Sequence, residues 1–338
     1  MSRSDVPHGR GGIVRTAAAF ALLILLPLVG GAIGPSPWPD RADGFASVNA
    51  LGQDGTTGGA GGRVVTVRTQ ADLERYAALP EPVVLRVEGK IEIAPFGKKV
   101  NVASDKTIVG VGADAAILRG GFRLLGVKNV IVRNLTIRDG FVEGDWDGKT
   151  NDHDAIQIDD SHHVWIDHCH LTRMGDGLID LRKTTDYVTV SWCVLSDHNK
   201  AFGIGWTPSA DRLRVTIHHT WIRGTFQRNP SFDNGTGHLY NNYLQDIKGY
   251  GNYARGRAKL VVENSVFENV RNPLQRDATA ELVARGNRLT TTAGRDEPRG
   301  AAFDPTALYP YSLDPTERVP ELLKAKAGPQ PDIGVTSP

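Results

Sequence analysis

The chain has 338 residues, of which 40% are hydrophobic, with 38 glycines, 19 prolines, two cysteines and a formal net charge of +1. These figures exclude wholesale disorder, a disulfide-held miniprotein and the global positive field of a nucleic-acid binder. A polyanionic ligand would have to meet a local basic patch, and the glycine and proline content favours many short strands and turns over long helices.

Residues 1–32 read as an export signal. Arg3, Arg10 and Arg15 form a positive front, Ala17 to Val29 is apolar, and Gly30, Gly31 and Ala32 offer small residues for cleavage. The apolar run is shorter than the roughly 20 residues of a spanning helix, and Pro27 interrupts it, so a lasting membrane association is not expected. Residues 33–43 are proline-rich and read as a linker. A glycine-rich stretch follows from Gly44; it lacks the Lys-Ser/Thr ending of a phosphate loop. Thr69 to Leu79 reads as a helix, with Thr69 and Asp72 in a capping pattern, Leu73, Tyr76 and Ala77 on one face, and Pro80 as a stop. Such a helix suits the covering of an open sheet end.

From Val83 onward strands dominate, and a repeat emerges. VIVRNLTI (130–137), VWIDHCHL (164–171), VTVSWCVL (188–195), VTIHHTWI (215–222) and LVVENSVF (260–267) share one pattern of alternating apolar residues; HLYNNYL (238–244) is a looser copy. The shared polar or aromatic position holds Asn134, His168, Trp192, His219, Asn242 and Asn264, with gaps of 34, 24, 27, 23 and 22. A period in the low twenties, with no helix between copies, predicts an all-β parallel β-helix over 44–300. Stacked coils would place these six residues in one ladder inside the solenoid. The long gap holds the insertion GFVEGDWDGKTND, expected as a loop on one face. Cys169 and Cys193 lie one coil apart, either as buried thiols or as a disulfide. Residues 301–338 form a proline-rich tail expected to pack along the outside.

Charged residues recur with the same period. Asp154 to Asp176 is 22 residues, Asp176 to Lys200 is 24, and Lys200 to Arg228 is 28. Asp152 and Asp154 are two apart and Asp176 and Asp180 four apart, so each pair shares a strand face. Four converging carboxylates repel unless a cation lies among them, and oxygen ligands favour calcium over zinc. A single Asp in a loop would be solvated; two pairs in register are not so explained. Lys200 and Arg228 cap the cluster, which suits an anionic ligand. Arg173, Arg182 and Lys183 read as surface charge. A rival zinc site at His162, His163, His168, His170 and Cys169 lacks a tetrahedral spacing pattern. Paired carboxylates of a glycosidase are a further alternative on this fold.

The segments VWIDH (164–168), DGLIDLRKTTDYVTVSW (176–192), DHNKAFGIG (197–205), QRNP (227–230) and YNNYL (240–244) resemble the extracellular pectate lyase family over roughly Gly44 to Asn287. The resemblance implies a right-handed parallel β-helix, secretion, action as a monomer, and calcium-dependent β-elimination of polygalacturonate. It further implies calcium ligands at Asp152, Asp154, Asp176 and Asp180, a substrate-binding lysine at Lys200, and the base at Arg228. An arginine is an unusual base, because a guanidinium ordinarily keeps its proton beyond about pH 12. The family's R-x-P-x-x-R ending is here Arg228-Asn-Pro-Ser-Phe-Asp233, so the second arginine is replaced by an aspartate. Arg255 and Arg223 are the candidates to take over its hold on substrate. Two other readings stand beside this one: a pectin lyase acting on methyl-esterified chains, and a non-catalytic polysaccharide-binding β-helix.

Overall fold

The structure, a computed structural model, describes residues 38–205 and 212–335. The proposed export signal lies outside them. Among the described residues no helix is long and apolar enough to cross a membrane.

Among the described residues the solenoid strands group into three long parallel sheets of ten, nine and eight members, and each complete coil contributes one strand to each sheet. The result is a parallel β-solenoid of about ten turns. Alternation in the sequence becomes stacking in space. In the eight-stranded sheet Ile156 pairs with Ile179 and Ile179 with Phe202, while Ile158, Leu181, Ile204, Phe232 and Ala254 follow one another in register. All are fully or almost fully buried. Each of the isoleucine, leucine and phenylalanine side chains contributes roughly 1.5–3 kcal/mol by leaving water, and truncating Phe202 to alanine would cost about 3–5 kcal/mol.

The first helix spans Gln70–Ala77. The Thr69 hydroxyl accepts the Asp72 N–H at 3.2 Å, and Leu73 and Ala77 enter the main core. A second helix, Val319–Lys326, lies within the stretch read only as a tail; Pro320 sits in its first turn, where no intrahelical N–H is needed. Val319 and Leu323 pack on Tyr243 and Val266. Residues 38–43, the described part of the expected linker, lie against the solenoid. The Trp38 ring meets His168 edge-on at 4.5 Å, and the Asp43 carboxylate bonds His218 at 2.9 Å.

One detail of the ladder is corrected. The residues at the shared bend have left-handed backbone: Asn134, His168, Trp192, His219, Asn241 and Asn264. Asn241 therefore takes the place assigned to Asn242. This column turns toward the terminal segments: Asn134 donates to Gln330, Asn241 and Asn264 both donate to the Asp314 carbonyl, and His168, Trp192 and His219 stack. Asn242 lies one position on, inside, where it accepts the Thr220 N–H at 3.0 Å and donates to the Ile217 carbonyl at 2.8 Å. Cys169 and Cys193 occupy the same inner ladder as free, buried thiols.

Candidate active site

The site lies on the eight-stranded sheet. Outward positions there stack in columns: Arg123, Gln157, Asp180, Gly203, Ser231 and Tyr253 succeed one another in register. Asp154 precedes the strand Ile156–Asp159, Asp176 precedes Gly177–Arg182, and Lys200 opens Lys200–Ile204. Each coil thus delivers its charged residue at the same edge of the sheet, which is why a period in the sequence becomes a cluster.

Carboxylate oxygens of Asp152, Asp154 and Asp176 all lie within 4.8 Å of one another. Asp154 is fully buried. Its Oδ1 accepts the Gly177 N–H at 2.8 Å and its Oδ2 the Lys99 ammonium at 3.0 Å. Asp180 is buried beside it, and its Oδ1 has no hydrogen-bond partner. Lys200 donates from Nζ to Asp176 Oδ1 and to the Asp147 carbonyl, both at 2.5 Å, and is itself buried.

Burial and the neighbouring charge of Asp152 push the Asp154 carboxyl up to about 6, against the pull of Lys99 and the Gly177 N–H. Asp180 is raised well above the ordinary carboxylate range, first by burial and then by Asp154; the Arg228 guanidinium counters in part. Such crowding is what a bound cation relieves.

The residues fit a hard divalent cation. The donors are all carboxylate oxygens, the class that calcium selects. Space has been kept for it as well. A Cβ added to Gly177 would fall 2.6 Å from Asp180 Oδ1 and 3.1 Å from Asp154 Oδ1. An unpartnered buried carboxylate oxygen facing that gap is otherwise costly.

Several contributors were invisible in the sequence. Lys99 donates from Nζ to Asp152 Oδ2 at 2.9 Å, to Asp154 Oδ2 and to Gln157 Oε1. The insertion folds onto the site edge as expected of a loop on one face, but its internal order was not foreseen. Asp145 gathers the N–H groups of Lys149 and Thr150, the Thr150 hydroxyl and the Asn151 amide, which hold its carboxyl well below the usual range. Asn199 then donates to the Trp146 carbonyl at 2.8 Å and to Asp147 Oδ1 at 3.0 Å. Trp146 stays half exposed at the rim.

Arg228 has left-handed backbone, and its carbonyl accepts the Phe202 N–H at 2.6 Å. It is near enough to Asp180 to influence its ionisation. Arg255 stands apart. Its strand lies three places along the sheet from that of Asp180, about 14 Å at 4.8 Å per strand. There it pairs with Asp233, its register partner, at 3.4 Å. Arg223 belongs to another sheet, where it faces Asp197. Arg182 clamps Asp159 through two nitrogens, Arg173 holds Asp139, and Lys183 lies 3.3 Å from Asp160. Three histidines of the rival zinc site are engaged elsewhere, His163 with the Val48 carbonyl, His168 with Asp167 and His170 with Ser196, while His162 meets His163 at 2.8 Å through their Nδ1 atoms.

The fold and site together define a parallel β-solenoid protein with a cation-binding acidic cage and a buried lysine at its edge. Comparison with known proteins gives the family. Residues 39–331 match the pectate lyase family model. A pectate trisaccharide-lyase of Thermotoga sp. (strain RQ2) is 34% identical over 93% of this chain and 95% of its own length. One from Bacillus licheniformis is 32% identical over 84% and 85%. The crystal structure of a pectate lyase from Bacillus sp. N165 in complex with trigalacturonate superposes with a TM-score of 0.75 at 27% identity, covering 87% of this chain and 99% of that one. The chain belongs to the pectate lyase family, and is a polysaccharide lyase.

Proposed function

We propose that the protein is a secreted, calcium-dependent pectate lyase that cleaves α-1,4-linked polygalacturonate by β-elimination. The observation that carries this reading is the buried, unpartnered Asp180 Oδ1 facing the same gap as Asp154, with Lys200 at the edge of the cage. Asp152, Asp154, Asp176 and Asp180 would hold the ion. Residues 1–32, as an export signal, would deliver the enzyme to the extracellular polymer.

Calcium held by these aspartates would supply positive charge to offset the negative charge that accumulates on the uronate carboxylate as the C5 proton leaves. Lys200 donates to that same carboxylate and orients the sugar. Arg228 would accept the C5 proton on a guanidine nitrogen that has first given up its own proton to solvent. The electron pair of the broken C5–H bond forms the C4–C5 double bond. The C4–O bond breaks, and the departing glycosidic oxygen takes a proton from solvent. Arg255, about three strands along the sheet from Asp180, would leave its partner Asp233 to bind a carboxylate of another sugar unit of the same chain.

The test is to incubate the protein with polygalacturonate and with methylated pectin, with and without a calcium chelator, and to follow the ultraviolet absorbance of the unsaturated product. The expected signal is on the unesterified polymer and is lost on chelation. A signal that survives chelation, mainly on pectin, would assign a pectin lyase, and none on either polymer a binding protein. The relatives named pectate trisaccharide-lyases lead us to expect an unsaturated trimer among the products.

A further inference from the structure

The cage already contains a cation that belongs to the chain. Lys99 comes from a strand two places before that of Asp154's coil, with Gly121 as its register partner in between. A side chain at Gly121 would collide with the backbone oxygens of Asp154 and Ala155, so this position is closed to all but glycine. Lys99 reaches past this strand and ends with its ammonium on Asp152 Oδ2 at 2.9 Å, Asp154 Oδ2 at 3.0 Å and Gln157 Oε1. Its side chain is only 12% exposed. An ammonium with three acceptors has all three donors spent.

We propose that Lys99 is a tethered competitor of the divalent cation. It balances the cage carboxylates and bonds to two of the residues a metal would take, Asp152 and Asp154, so a metal binds against its charge. The affinity of the protein for a hard divalent cation is therefore set below that of the carboxylates alone. This inference rests on the metal-binding reading given above. Its physical basis is the direction of the charge interaction. An ammonium within hydrogen-bond distance of two ligand carboxylates lowers the negative potential at the site, and it must lose those bonds or repel the incoming ion. Calcium release would accordingly be easy, and resistance to chelators low.

The test measures calcium binding by calorimetry, in chelator-treated buffer, on the intact protein and on Lys99→Met, Lys99→Gln, Lys99→Arg and Asp180→Asn. Loss of the charge in Lys99→Met and in Lys99→Gln should tighten binding about tenfold or more. Lys99→Arg should stay within about threefold of the parent, and Asp180→Asn should weaken binding. The rise in melting temperature on adding calcium gives a readout that a merely structural lysine would not move. Lys99→Met should melt lower than the parent in chelator, and calcium should raise its melting temperature by more. If Asp180→Asn weakens binding but both neutral variants bind no tighter than the parent, the role of Lys99 is overturned while the metal site stands. If none of the five proteins binds calcium, the metal-binding reading fails, and this inference with it.

Discussion

Asp154→Asn gives the sharpest test of how the cage stores repulsion. Asp154 is fully buried, and its carboxyl is raised from the ordinary 3.8 to about 6, chiefly by burial with Asp152 adding to it. At about 1.4 kcal/mol per tenfold, ionising this group in the folded protein costs about 3 kcal/mol. The sign follows. A folded value above the unfolded one means that stability is present below about pH 4 and is lost as pH rises through about 6. Asparagine removes the charge and can keep the oxygen that accepts the Gly177 N–H. Its amide would face the Lys99 ammonium, which offsets part of the gain but leaves Lys99 its bonds to Asp152 and Gln157. In chelator at pH 8 the variant should thus be more stable by about 1–3 kcal/mol, a rise in melting temperature of roughly 2–6 °C. Near pH 4 the gap should close, and with calcium present the order should reverse. Melting followed by circular dichroism reads all three conditions. A variant that melts no higher than the parent in chelator at pH 8 would refute the stored repulsion.

Other outcomes follow from the same geometry. Arg228→Ala should lower turnover of polygalacturonate by about 10²–10⁴-fold, the range of a lost general base, with calcium affinity unchanged by calorimetry; near-normal turnover would remove Arg228 from its role. Gly148→Ala should weaken calcium binding and activity together, because Gly148 has a φ of +56° and an added Cβ would lie 2.7 Å from Asp176 Oδ1. Arg255→Ala should raise KM on the long polymer by about tenfold while sparing kcat and cleavage of short oligomers. Equal loss on short and long substrates would place Arg255 at the reacting sugar instead.

The period of the solenoid was legible because each coil repeats one inward pattern: VWIDHCHL, VTVSWCVL and VTIHHTWI keep aliphatic residues at Val164, Val188 and Val215, at Ile166, Val190 and Ile217, and at Leu171, Leu195 and Ile222. The acidic cage was legible for the same reason: Asp154, Asp176 and Lys200 recur at coil length, so sequence spacing maps onto spatial register. The choice between Asn241 and Asn242 was not legible. Both are asparagines, and only the left-handed backbone at 241 shows which one turns the corner. Lys99 was missed because it acts across two coils, 53 and 55 residues from its partners. The signal that existed was a lysine followed one coil later by the pair Gly120–Gly121, which has no meaning until register is known. The helix Val319–Lys326 hid in a proline-rich tail because Pro320 reads as a breaker in sequence yet suits a first turn.

The central claim is that successive coils assemble a single groove holding a cation and a uronate together. Its most direct measurement is a crystal structure of Arg228→Ala soaked with calcium and trigalacturonate. The account predicts an ion bound by Asp154, Asp176 and Asp180, with a sugar carboxylate on that ion and on Lys200. An ion seated elsewhere, or a sugar bound away from Lys200 with the cage empty, would contradict it.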